Sequence, residues 1–101
     1  MWLLVMFDLP VLSQVERRRY AQFRRQLLTR GFSMLQFSVY ARYCSSEESA
    51  AAIRSDVRGV LPPEGQVRLV AVTDHQFGRM EVYYGKNRSP TEEPPRQFML
   101  F

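Results

Sequence analysis

The chain opens on an unbroken apolar run, Met1–Asp8 (MWLLVMFD), which stops at Leu9-Pro10. A run this short, rich in Val and aromatic residues, predicts a buried central strand. Ser13-Gln14-Val15-Glu16 then carries a capping-box pattern and predicts a helix from about residue 14. Gly31 suits the position just past its end. At helical spacing Tyr20, Phe23 and Leu27 fall on one side, with Ala21 and Leu28 beside them. Arg18 and Arg25 lie one heptad apart on the opposite side. The helix is expected to bury one face and present arginines on the other. Arg17 and Arg24 border the apolar stripe, where their stems can pack and their heads reach water.

Phe32–Cys44 (FSMLQFSVYARYC) roughly alternates and is rich in β-formers, so it predicts one long strand, or two joined by a bulge or bend. Ser45-Ser46-Glu47-Glu48 repeats the capping-box pattern and opens a second helix. Ala50, Ile53, Val57 and Val60 supply its packing stripe, and Gly59 with Pro62-Pro63 ends it. Gln66–Thr73 alternates as a strand, and Thr73 or Asp74 can cap one helical turn over His75–Arg79. Met80–Tyr84 reads as a further short strand closed by Gly85. Residues 86–96, with three prolines, read as a linker. The apolar Gln97–Phe101 (QFMLF) reads as a terminal strand that must dock on its own sheet or on a partner's.

The order β-α-β(β)-α-β-β fits best as an α+β, ferredoxin-like βαββαβ sandwich, with an extra C-terminal strand. Two helices would cover one sheet face. The other face is apolar enough to suggest a dimer. Three segments follow: residues 1–85 as the domain, 86–96 as the linker and 97–101 as a strand docking on the partner protomer.

A length of 101 residues holds one domain and one thin core. The single Cys excludes an intrachain disulfide framework and CxxC metal sites, and fits a reducing cytoplasm. The N-terminal run is too short to span a membrane and lacks the flanks of a signal peptide, so an intracellular protein without a membrane partner is expected. Formal charge is +4, and thirteen of the fourteen basic residues are Arg. Residues 16–30 alone hold six Arg against Glu16, while the rest of the chain sums to −1. The basic excess therefore belongs to the first helix, and Arg favours phosphate and carboxylate partners. Arg17, Arg18, Arg19 and Arg25 are the candidate phosphate contacts. Such contacts position nucleic acid without reading its sequence.

Taken alone, Asp8 at the end of the first strand reads as a carboxylate bonding backbone N–H groups of the following turn. His75 is the only His, which rules out a His-based triad within one chain. Cys44 reads as a buried thiol, and the five Gly are too scattered to cradle a phosphate. Phe37 and Tyr40 are able to stack on bases, although aromatics at strand spacing usually belong to a core. Ser38 more readily serves the sheet's hydrogen bonding than attacks a substrate.

Four stretches, MFDLP, ERRRYAQFRRQLLTRGF, GFSMLQFSVYARYC and VAVTDHQFGRMEVYYG, in this order and spacing, closely resemble the CRISPR-associated protein two family. The QFSVY and VTDHQFGRM segments look most like members accompanying type II systems. The resemblance covers residues 1–85 and, weakly, 97–101. It implies a ferredoxin-like homodimer whose C-terminal strand joins the partner's sheet. It also implies a role in spacer acquisition, in which the dimer and the CRISPR integrase hold a double-stranded DNA. The family is described too as metal-dependent endoribonucleases or deoxyribonucleases. On that description Asp8 would be the catalytic, Mg²⁺-binding residue and single-stranded RNA a substrate. Some members carry a basic residue two positions before the Gln of the QxSV motif, and here that position is Met34. The departure weighs against cleavage and leaves the platform role untouched.

Two other functions compete. A stand-alone, toxin-like, metal-dependent ribonuclease would use the same fold and the same Asp8. An RNA-binding sheet of the RRM type requires paired aromatics on its central strands, and QVRLVAVT carries none.

Overall fold

The computed structural model describes residues 1–95. Nine elements follow in chain order: β1 (Trp2–Asp8), α1 (Gln14–Thr29), β2 (Ser33–Gln36), β3 (Val39–Tyr43), α2 (Glu47–Arg58), β4 (Gln66–Val72), α3 (Asp74–Gly78), β5 (Val82–Tyr84) and β6 (Asn87–Ser89). Four strands form one sheet in the order β2-β3-β1-β4, with every neighbouring pair antiparallel. This is the α+β, ferredoxin-like arrangement that the order of elements predicts. The most apolar strand, β1, lies inside, bonded to β3 on one side and to β4 on the other.

Alternation along β1 separates two cores. Leu3, Val5 and Phe7 point toward the helices and pack with Phe23 and Leu27 of α1, and with Ala50 and Val57 of α2. Trp2 faces the opposite side with Ala41, under Phe77 of α3. The Trp2 and Phe77 rings stack at 4.1 Å. Thus α3 covers one end of the second face, while Val70 and Arg68 of β4 remain exposed toward the other end.

Local signals set the helix ends. Ser13 caps α1: its Oγ accepts from the Glu16 N–H at 3.1 Å, and Glu16 Oε1 accepts from the Ser13 N–H at 2.8 Å. Gly31, at φ +83°, ends α1 in a Schellman motif, in which Phe32 N–H donates to Leu27 O and Gly31 N–H to Leu28 O. Thr73 caps α3 by the same reciprocal bonds, here with Gln76. The cap of α2 differs from the expected Ser45–Glu48 box. Ser46 is the cap, bonded to the Ser49 N–H at 3.1 Å, so no carboxylate returns the bond. Glu47 and Glu48 fall in the first turn and act on the helix dipole instead.

Phe32–Cys44 forms two strands joined at Phe37-Ser38, with the register shifting between Met34 and Gln36. The stretch read as a linker begins differently: Asn87–Ser89 is a strand, pairing with β5 in a separate two-stranded hairpin. The terminal strand expected at residues 97–101 lies outside the described residues, as does the end of the linker stretch.

Candidate nucleic-acid interface

Helix α1 sorts its arginines into three lanes. On the side facing the α2–β4 connection, Arg19 donates to Glu64 at 2.7 Å. On the opposite flank Arg17 donates to the Val11 and Leu12 carbonyls, both at 3.2 Å, and so ties down the turn that precedes the helix. Arg24, one heptad after Arg17, is exposed on this same flank. The outermost lane holds Arg18 and Arg25. Both are exposed, and neither forms a hydrogen bond or ion pair among the described residues. At the helix end Arg30 pairs with Asp56 at 2.9 Å and also reaches Gln26.

The four predicted phosphate contacts therefore differ in what they already do. Arg17 and Arg19 hold the chain's own structure, and Arg18 and Arg25 are uncommitted. Exposed pairs such as Arg19–Glu64 contribute about 1 kcal/mol or less, so phosphate can compete for that guanidinium. Sequence reasoning left Arg24 at the stripe edge, although heptad spacing from Arg17 places it in the basic surface.

Asp8 is exposed at the last position of β1, opposite Gln66. Gly65, at φ +88°, passes so close that a Cβ there would lie 2.6 Å from the Asp8 carbonyl oxygen. The loop before β4 thus fixes the backbone at Asp8. Arg68 lies opposite Met6, which puts it on the same sheet face as Asp8. A shallow concavity is lined by Met6, Phe7, Asp8, Gln66 and Arg68. Only strand register reveals this neighbour, so sequence reasoning missed Arg68.

No cluster of three or more His, Cys, Asp or Glu able to hold a metal occurs among the described residues. Mg²⁺ needs near-octahedral oxygen ligation. The single carboxylate of Asp8, with a guanidinium on its own face, does not fit that ion within one chain.

The other polar groups weighed earlier lie elsewhere. His75 is exposed on α3, and Tyr40 is buried in the core. Burial pushes the Cys44 thiol above its ordinary range, while Arg42 and the Met1 ammonium pull the other way. Asp74 accepts from the Met1 ammonium. Burial, and then the Asp74 carboxylate, push the Tyr43 hydroxyl upward. No described helix is long and apolar enough to cross a membrane.

Residues 1–80 match the family model described as CRISPR associated protein Cas2. Similar curated proteins carry the name CRISPR-associated endoribonuclease Cas2. The one from Parvibaculum lavamentivorans is 48% identical over 101 residues, covering 100% of both chains. That from Flavobacterium psychrophilum is 45% identical across 100% of this chain and 88% of its own length. A third, from Paracidovorax avenae, is 43% identical across 100% and 94%. With its sheet order, its arginine helix and these matches taken together, the chain belongs to the Cas2 family of CRISPR-associated proteins.

Proposed function

We propose that this chain acts in spacer acquisition as a homodimeric platform for double-stranded DNA, working in the cytoplasm beside the CRISPR integrase. One observation carries the reading: Arg18 and Arg25 stand outward on α1, one heptad apart, and neither is used by the chain's own structure. Phosphate neutralisation by such cations releases counterions and tolerates any sequence. Dimerisation supplies cover for the apolar sheet face left open near Val70, and doubles the arginine lane.

The names of the relatives favour a second reading, endoribonuclease activity. Two copies would bring two Asp8 carboxylates, which would hold a shared divalent cation such as Mg²⁺ with waters and phosphate oxygens completing its shell. Held there, such a cation would supply an activated water for phosphodiester hydrolysis. In either reading Asp8 offers an exposed carboxylate, on a backbone that Gly65 approaches closely.

One set of variants tests both readings. Changing Arg18 and Arg25 together to Glu should lower duplex affinity at least tenfold and flatten its dependence on salt, measured by fluorescence anisotropy. Unchanged affinity would remove α1 from the interface. Asp8→Ala should abolish any RNA cleavage and leave duplex binding and spacer acquisition intact. Failure of acquisition, with dimer and duplex binding intact, would make cleavage the biological role.

A further inference from the structure

Phe37 is 78% exposed at the tip of the β2–β3 hairpin, yet it is not loosely held. One ring face leans on Tyr20 of α1 at 5.8 Å, with 18° between the planes. The next residue, Ser38, sits at φ +61°, a left-handed conformation that costs a non-glycine residue roughly 1 kcal/mol or more. Three contacts hold that strained turn in place. The Ser38 carbonyl accepts from the Phe7 N–H at 3.0 Å, the Ser38 hydroxyl bonds Tyr20 Oη at 3.0 Å, and Tyr20 itself packs at a tilt on Phe7. The result is a fixed aromatic plane with its second face open to water.

Charge around this plane narrows what can cover it. Tyr20 lies between Arg17 and Arg24 on α1, at spacings of three and four residues, and Arg25 follows on the outer lane. A second copy approaching through the same patch would bring like charges together. Phosphate would not. A duplex keeps the faces of its bases inside its own stack, so an open aromatic plane suits a base that has left one. Every base has such a face, which makes the contact sequence-tolerant.

We infer that Phe37 is a stacking platform for an unpaired nucleobase, extending the Tyr20–Phe37 stack by one layer while arginines of α1 hold the flanking phosphates. The inference rests on the nucleic-acid reading above and adds single-stranded DNA or RNA as a ligand at a defined place.

The test uses the full chain and three probes: a blunt DNA duplex, a single-stranded oligodeoxythymidylate, and an oligouridylate of equal length. Each single strand carries one 2-aminopurine, whose fluorescence drops on stacking. Phe37→Ala should lose about tenfold in single-strand affinity, together with the quenching, and keep the wild-type affinity for the blunt duplex. Phe37→Trp should retain both single-strand signals, whereas Phe37→Leu, apolar but without a ring, should behave as Ala. The better of the two single strands identifies the source of the base.

Equal single-strand affinity in wild type and Phe37→Ala overturns the inference. So does an equal loss on duplex and single strand, or a change in sedimentation coefficient that marks Phe37 as a contact between copies. If Phe37→Ala changes nothing while the Arg18/Arg25 double variant loses the duplex, the platform stands and the stacking site falls. If the wild-type chain binds none of the three probes, both fall.

Discussion

Gly65 fixes the position of Asp8 although it contributes no side chain. Its φ of +88° disfavours any L side chain, and a Cβ would meet both the Asp8 carbonyl oxygen and Leu9 Cδ2 at 2.6 Å. Backbone strain and overpacking together should make Gly65→Ala destabilising by about 3 kcal/mol, read as a fall in the urea midpoint. A cost below about 1 kcal/mol would mean that the loop simply moves away, and with it the hold on Asp8. Asp8 was legible in the sequence because an apolar run ends on it. Gly65 was not, because its role comes from a contact between two loops far apart in the chain. Arg68 was hidden in the same way, since a strand's own alternation says nothing of which neighbour it meets.

Single elements were most legible where their signals are local. The ends of α1 follow from Ser13, Glu16 and Gly31, all within the helix's immediate reach. Ser13→Ala should therefore cost about 1 kcal/mol in thermal or chemical unfolding, with little effect on nucleic-acid affinity. An affinity loss matching that of the arginine variants would show instead that the cap orients the basic lane. Helix α2 shows the limit of such reasoning. Two adjacent serines were eligible, and the structure uses Ser46 rather than Ser45. The β2–β3 turn was ambiguous for a different reason. Phe37-Ser38 lacks the Asn-Gly or Asp-Gly signal of a tight hairpin. Its conformation is held by Tyr20 and Phe7, which lie outside the segment. The arginine lanes fell between these cases: periodicity gave the outer face, and only the positions of Glu64 and of the Val11–Leu12 carbonyls showed which guanidinium groups were already engaged.

Across the whole molecule, stability should follow distance from β1. That strand is bonded along both edges, and its Leu3 and Val5 are fully buried. Its amide protons should exchange only through global unfolding and be the slowest in the protein, while those of the separate β5–β6 hairpin should be among the fastest. Hydrogen exchange followed by NMR checks the order. Protection of the hairpin equal to that of β1 would show that it is docked on a further surface, such as a second copy. Fold class was legible at this scale because the succession of strands and helices leaves few ways to build a sheet.

The central place of β1 also has a cost during synthesis. It leaves the ribosome before either of its partners, β3 and then β4, which ends at Val72. Until β3 has been made the segment WLLVMFD has no strand to pair with, and its other edge stays open until β4. A stretch so apolar, with no charge before Asp8, is the kind that self-associates when left open. Helix α1, nucleated by its own capping box, can form in the meantime and offer Phe23 and Leu27 as a temporary cover. The helix that carries the outward arginines in the folded protein would then be, on its apolar side, the nascent chain's first protection against aggregation.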